Sequence, residues 1–140
     1  MRRYLLDTTP LTAYLRGRPA AVARFDPWLE REELATSILV YAEVLEWLRG
    51  RPNFDALHQT LHELLVDVYP YWLTWGMLER YSVIRRQLRP PHGPGLIGDI
   101  DTLIAATAIE RNLTVVTCDT DFERVPDLKT IVIPRDNLKR

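Results

Sequence analysis

The sequence predicts an α/β fold, with a mostly parallel central sheet of four to five strands flanked by helices on both faces. Three observations lead there. Short apolar runs alternate with helix-length segments along the whole chain. The runs at 113–117 and 130–133 are rich in β-branched residues and lack polar alternation, as strands covered on both faces do. The 140 residues, 46% hydrophobic and 26% charged, suit one domain spanning 1–140. A chain of that size buries about two thirds of its unfolded surface.

Arg3 to Leu6 is a short apolar run closed by Asp7, the pattern of a buried strand. Thr8 to Leu15 suits a helix, with Pro10 tolerated in its first turn. Gly17, Pro19 and Pro27 then punctuate a connector with room for a short helix. Leu34 to Thr36 predicts a second strand, and Ser37 suits the cap of a helix over Ile38–Arg49 that Gly50 and Pro52 end. Apolar residues at 54, 57, 61, 64 and 65 predict a helix over Phe54–Leu65, with Val66–Tyr69 as the candidate third strand. Leu73–Leu88 carries an apolar stripe with Arg80, Arg85 and Arg86 on its outer face. Three prolines and three glycines make Arg89–Gly98 a loop that delivers the chain to Asp99. Asp101–Glu110 is an alanine-lined helix, with Asp99 as candidate N-cap and Asn112 suited to a left-handed C-terminal position.

The 18 basic and 19 acidic residues nearly cancel to a net charge of −1, so global charge announces neither a nucleic-acid nor a membrane binder. Cys118 is the single cysteine, which excludes an internal disulfide. No apolar run approaches the ~20 residues of a membrane span. Met1-Arg2-Arg3 leads directly into the first strand without a signal-peptide core, so the expected location is the cytoplasm, with no membrane partner.

In parallel sheets ligands bind outside the carboxyl ends of the strands, and Asp7 and Asp119 each follow a predicted strand. Glu43 has Leu39, Val40, Val44 and Trp47 as its helical neighbours, so it lies on an apolar face. A carboxylate there needs a cation, a basic partner such as Arg24 or Arg80, or a raised pKa. Asp101 begins a helix, where the dipole favours an anion. Asp119 and Asp121 flank Thr120 in a turn, where aspartates commonly cap their own backbone. Asp7, Glu43, Asp101 and Asp119 can together converge at one sheet edge. Carboxylates about 4.5 Å apart repel by roughly 4 kcal/mol per pair at an effective dielectric of 20, so such a cluster calls for a hard divalent cation, Mg²⁺ or Mn²⁺. Zinc is disfavoured, because Cys118 is alone and His58, His62 and His92 form no ligand set.

The opening Leu5-Leu6-Asp7-Thr8-Thr9, the stretch Thr36-Ser37-Ile38 to Ala42-Glu43, the segment Ile97-Gly98-Asp99-Ile100-Asp101 to Ala106, and Val116-Thr117-Cys118-Asp119-Thr120-Asp121-Phe122 resemble a PIN-domain ribonuclease. The resemblance covers nearly the whole chain and is closest to the VapC-like toxins of type II toxin-antitoxin pairs. It implies a Mg²⁺- or Mn²⁺-dependent endoribonuclease that hydrolyses RNA phosphodiester bonds. It also implies Asp7, Glu43 and Asp101 as an acidic triad, Asp119 as the fourth acid with Asp121 its rival, and Asp99 as an extra acid reaching the metal through water. Thr9 stands where relatives often carry Asn or Ser, and its hydroxyl can hold a water or the neighbouring carboxylate.

Arg80, Arg85, Arg86 and Arg89, with Trp72, Trp75 and Tyr81, are candidate RNA contacts, against the alternative of a solvated helix face with core aromatics. The family further implies a VapB-like antitoxin partner and a homodimer. Leu11, Tyr14, Leu15, Trp47 and Leu48 are candidate contacts for these unless they fill the core. The competing readings are a catalytically idle PIN-like interaction module and another metal-dependent phosphoester hydrolase. A phosphatase of the haloacid-dehalogenase type needs an acid two residues after Asp7, where Thr9 stands. A phosphoacceptor receiver domain needs adjacent acids after the first strand, and Leu6 precedes Asp7.

Overall fold

In the computed structural model, which describes residues 1–140, Tyr4–Leu6 (β1) is the central strand of a five-stranded, all-parallel sheet. Leu34–Ser37 (β2) and Tyr69–Tyr71 (β3) extend the sheet on one side, and Thr114–Thr117 (β4) and Lys129–Val132 (β5) on the other, in the order β3-β2-β1-β4-β5. Leu5 pairs with both Ala35 and Val115, and Val116 with Leu6 and Ile131. Leu5 and Leu6 point to opposite faces, as neighbours in a strand must, and both are fully buried. The sheet is therefore covered on both sides, as the β-branched runs predict.

Parallel neighbours need crossovers, and helices supply them. Thr8–Leu15 (α1) and Pro19–Glu30 (α2) lead from β1 to β2, and Ile38–Arg49 (α3) and Phe54–Asp67 (α4) from β2 to β3. Trp75–Leu88 (α5) and Asp99–Arg111 (α6) return the chain across the sheet to β4. A short 3-10 turn, Thr120–Arg124, joins β4 to β5, and a second, Arg135–Leu138, follows β5. The chain winds outward from β1 to β3 and then jumps to β4, so the winding reverses between β1 and β4. That reversal opens a crevice at their carboxyl ends. No helix is long and apolar enough to cross a membrane.

The bounds of α1 and α3 match the sequence expectation, and the Ser37 hydroxyl accepts the Leu39 N–H at 3.1 Å as the α3 cap. Asn112 takes the left-handed position with φ 55°.

Four expectations change. The connector after Gly17 is a full helix, α2, with Pro27 inside it. Pro27 frees the carbonyl of Ala23, which lies on the exposed side, while Phe25 is fully buried and packs edge-on to Tyr14 with ring centroids 5.6 Å apart. Truncating such a buried phenylalanine costs about 3–5 kcal/mol, which outweighs one lost hydrogen bond. The third strand begins at Tyr69 rather than Val66, because α4 continues to Asp67; Pro70 is tolerated since β3 is an edge strand. Asp99 is the first residue of α6 and Gly98 occupies the cap position, with no side-chain cap bond. Leu11, Tyr14, Leu15 and Leu48 are buried in the core and only Trp47 is half-exposed, so four of these five residues are not surface contacts.

The loop before α6 folds back on the end of α5. Gly95 N–H donates to the Leu88 carbonyl at 2.9 Å, and a Cβ at Gly93 would fall 2.1 Å from the Gln87 carbonyl oxygen. Only glycine fits there.

Candidate active site

Asp7 follows the central strand, and its N–H donates to the Val116 carbonyl at 2.9 Å, so the backbone of β4 fixes its position. The residue is 8% exposed. The Thr117 hydroxyl donates to Asp7 Oδ2 at 2.7 Å and accepts the Asp119 N–H at 3.0 Å, so one β4 side chain ties both aspartates together. Burial raises the Asp7 pKa; the Thr117 and Thr8 hydrogen bonds oppose the rise, and the charges of Glu43 and Asp119 add to it.

Glu43 reaches the same edge from the second turn of α3. Neither Arg24 nor Arg80 pairs with it: Arg80 bonds Glu110 at 3.2 Å, and Glu43 Oε1 instead accepts the Thr8 hydroxyl at 2.7 Å. The hydroxyl that holds the neighbouring carboxylate thus belongs to Thr8, not Thr9. Thr9 faces a cavity alongside.

Asp101 enters from the first turn of α6. Burial, then the charges of Asp7, Asp119, Glu43 and Asp121, push its pKa up to about 6. Four carboxylates from three segments therefore act on this one group. Asp119 raises both Asp7 and Asp101, and its side chain caps the following 3-10 turn by accepting the Asp121 N–H at 2.8 Å. Asp121 pairs with Arg124 at 3.1 Å, and its charge acts on Asp101 but is the last of the four to do so. This division favours Asp119 over Asp121 as the acid facing Asp7.

Asp99 is drawn outward. It pairs with Arg85 at 3.3 Å and accepts the Tyr81 hydroxyl at 2.9 Å, which raises the Tyr81 pKa. Its charge is not among those that shift Asp7 or Asp101. Arg80 and Arg85 thus already have acidic partners, and Arg86 is exposed on α5. His58 and His62 lie 3.1 Å apart on α4, where His62 also meets the Tyr41 hydroxyl. They serve no metal set.

The donors at the edge are all hard carboxylate oxygens, the chemistry of Mg²⁺ or Mn²⁺ rather than zinc. No three acidic, histidine or cysteine side chains are arranged here to ligate one ion. Burial first, and then mutual repulsion, raise the pKa values of Asp7 and Asp101, and a divalent cation held by these carboxylates would offset both. The residues therefore fit a hard cation in donor type and charge, with side-chain rotation needed to close the shell.

Sequence reasoning misses Thr8 and Thr117, whose roles depend on which carboxylate the fold brings beside them. It also misses a cavity of about 330 Å³ that opens beside Thr8 and Thr9 and is lined by Arg16, Arg18, Arg51 and Arg135.

The family model of the PIN domain matches residues 4–128. Comparison of the sequence with curated proteins finds no match. Among solved structures the chain is similar to DNA-bound VapBC from Salmonella typhimurium, with TM-score 0.82, 19% identity and coverage of 94% of this chain and 98% of that one. It is similar to VapBC2 from Rickettsia felis bound to a promoter DNA fragment, with TM-score 0.81, 22% identity and coverage of 93% and 98%. FitAcB from Neisseria gonorrhoeae gives TM-score 0.78 at 26% identity, covering 91% and 96%. A match over most of the chain, on a parallel sheet whose crevice gathers four acids, shows that this chain belongs to the PIN-domain family.

Proposed function

We propose that the chain is a Mg²⁺- or Mn²⁺-dependent endoribonuclease and the toxin of a toxin-antitoxin pair. The observation that supports this most is the gathering of Asp7, Glu43, Asp101 and Asp119 at the reversal point of the sheet, without a basic partner on Asp7, Glu43 or Asp101. Asp7, Asp101, Glu43 and Asp119 are the residues to hold the metal. When bound, such an ion polarises the phosphate, supplies a water of lowered pKa and offsets charge on the leaving oxygen. The chain's own residues position these parts. Thr117 fixes one oxygen of Asp7 and Thr8 fixes one oxygen of Glu43, which orients both carboxylates at the crevice. Asp101, with a pKa of about 6, is mostly ionised at neutral pH and ready to accept a cation or a proton from water.

The similar solved structures include a toxin-antitoxin complex from Klebsiella pneumoniae and a member of the VapBC family of toxin-antitoxin systems from Mycobacterium tuberculosis. We take a VapB-like antitoxin as the partner and the cytoplasm as the place of action. A homodimer is the expected assembly, and Val66, Tyr69, Trp72 and Trp75 offer an exposed apolar edge for it. A catalytically idle binding module is the second reading, favoured by the lack of a preformed three-ligand set.

The test is cleavage of a mixed RNA pool by purified protein with Mg²⁺ or Mn²⁺, against EDTA and against Asp101→Asn. Metal-dependent cutting that disappears in the variant is the expected result. Cation binding by calorimetry with no cutting of any RNA would establish the idle module instead.

A further inference from the structure

We propose that the cavity beside Thr8 and Thr9 is a phosphate-binding subsite that holds single-stranded RNA next to the bond to be cut. The proposal rests on the nuclease reading above and deepens it, because the sequence reading names Thr9 and the arginines on and beside α5 as substrate contacts and none of this cavity's arginines. The cavity's cations come from separate segments. Arg16 and Arg18 flank Gly17, whose φ of +69° makes the turn between α1 and α2; Arg51 follows α3; Arg135 and Lys139 belong to the C-terminal 3-10 turn and its cap.

Arg16, Arg18, Arg51 and Arg135 make no ion pair with any carboxylate, whereas Lys139 pairs with Asp136 at 3.2 Å. Four arginines without counter-charge in one cavity call for an anion. Arg16 itself is exposed, and slight desolvation, then the like charges of Arg18 and Arg51, lower its pKa.

Two of the guanidinium groups are fixed in place. Arg51 lies 4.1 Å and Arg16 5.4 Å from the centroid of the Trp47 ring, so the indole anchors both by cation–π contact. Planar guanidinium groups held this way match phosphate oxygens with paired donors. The hydroxyls of Thr9 and Thr12 add neutral donors along the same wall.

Position makes the anion a polymer. The wall is α1, which begins one residue after Asp7, and its Thr8 donates to Glu43. At 1.5 Å per residue the eight residues of α1 span about 12 Å, so a strand whose phosphate rests on Arg16 continues to the acidic cluster. A helical peptide would need a row of apolar anchors, and only three of the 11 lining residues are hydrophobic. The lining favours a sugar-phosphate chain. Trp47 acts here as a positioning residue.

The experiment uses the full chain with Asp7→Asn, so that RNA stays intact, and follows binding of a short labelled single-stranded RNA by fluorescence anisotropy across a salt series. Arg16→Gln and Arg51→Gln should each weaken binding about tenfold, the size of one lost charge-assisted hydrogen bond. Each should lower the slope of log affinity against log salt by about 0.7. Trp47→Ala should weaken binding with Trp47→Phe restoring most of it, and Arg24→Gln on the exposed side of α2 should change nothing.

Unchanged affinity and salt slope in Arg16→Gln/Arg51→Gln, with metal-dependent cleavage intact in the native chain, would overturn the subsite and leave the nuclease standing. Arginine-dependent binding with no cleavage by the native chain would support the subsite and remove the nuclease. Tight binding of polyglutamate that depends on these arginines, beside RNA binding that does not, would overturn the proposal in favour of an acidic peptide.

Discussion

Two shielded carboxylates lie at opposite ends of the same sheet and meet opposite treatment. Glu33 precedes β2 at the amino edge, is 6% exposed, and is bracketed by Arg31 and by Arg3, the latter at 3.1 Å. The Arg31 hydrogen bond first, and the charges of both arginines, hold its pKa below the usual range. Asp7 follows β1 at the carboxyl edge, is equally hidden, and has only hydroxyl and backbone donors and acidic neighbours. Where an acid serves the fold, this chain supplies its cation from within. At the carboxyl edge it supplies none, which leaves room for a charge from outside.

Replacing acids and their supports at the carboxyl edge should sharpen that contrast most. Asp7→Asn should reduce RNA cleavage by more than about 100-fold, since groups merely behind metal ligands already cost 10–100-fold when removed. Thr117→Val keeps the shape but deletes the donor to Asp7 and the acceptor for the Asp119 N–H. It should cost about 10–100-fold in cleavage rate, with Thr117→Ser close to the native protein.

The two edges should also respond oppositely to pH. Asp101, with a folded pKa of about 6 against about 3.9 unfolded, contributes stability that is full below the unfolded value and lost as pH rises through about 6. Asp7 acts with the same sign. Glu33, with a lowered pKa, contributes stability that is present above its unfolded value of about 4.3 and lost as pH falls through its folded one. The melting temperature of the metal-free protein should therefore rise from pH 8 to pH 5 and fall again below about pH 4. Mg²⁺ or Mn²⁺ at pH 8 should recover part of the loss, and Asp101→Asn should flatten the upper limb. A metal-free melting temperature that is level from pH 8 to pH 5 would break the comparison. The smallest effect is expected from Glu33→Gln, which should lower the melting temperature modestly and leave cleavage unchanged.

Much of this contrast is legible in the sequence, and the illegible parts share a cause. Asp7, Glu43, Asp101 and Asp119 declare themselves because each follows a strand, starts a helix or stands against an apolar face, and those are local signals. α3 is bounded by its own Ser37 cap and Gly50, and α1 ends before Gly17. The third strand shifts because β3 holds its place by pairing with β2, a long-range bond that overrides the apolar run at Val66. Pro27 sits inside α2 because burial of Phe25 lies on the other side of the helix. Thr8 and Thr9 are neighbours in the chain, and only the packing of α3 decides which of them meets Glu43. The basic cavity draws its arginines from positions 16, 18, 51 and 135, and no spacing along the chain links them.

The place of β1 bears on how the site survives thermal motion. With a hydrogen-bonded strand on each side, its amides and that of Asp7, which bonds Val116, have no partial opening that frees them while the sheet persists. Their hydrogen exchange should track global unfolding, while β3 and β5 at the rims exchange through fraying. The most deeply buried carboxylate of the cluster is thus mounted on the slowest-opening part of the molecule, so the site stays assembled until the protein itself unfolds.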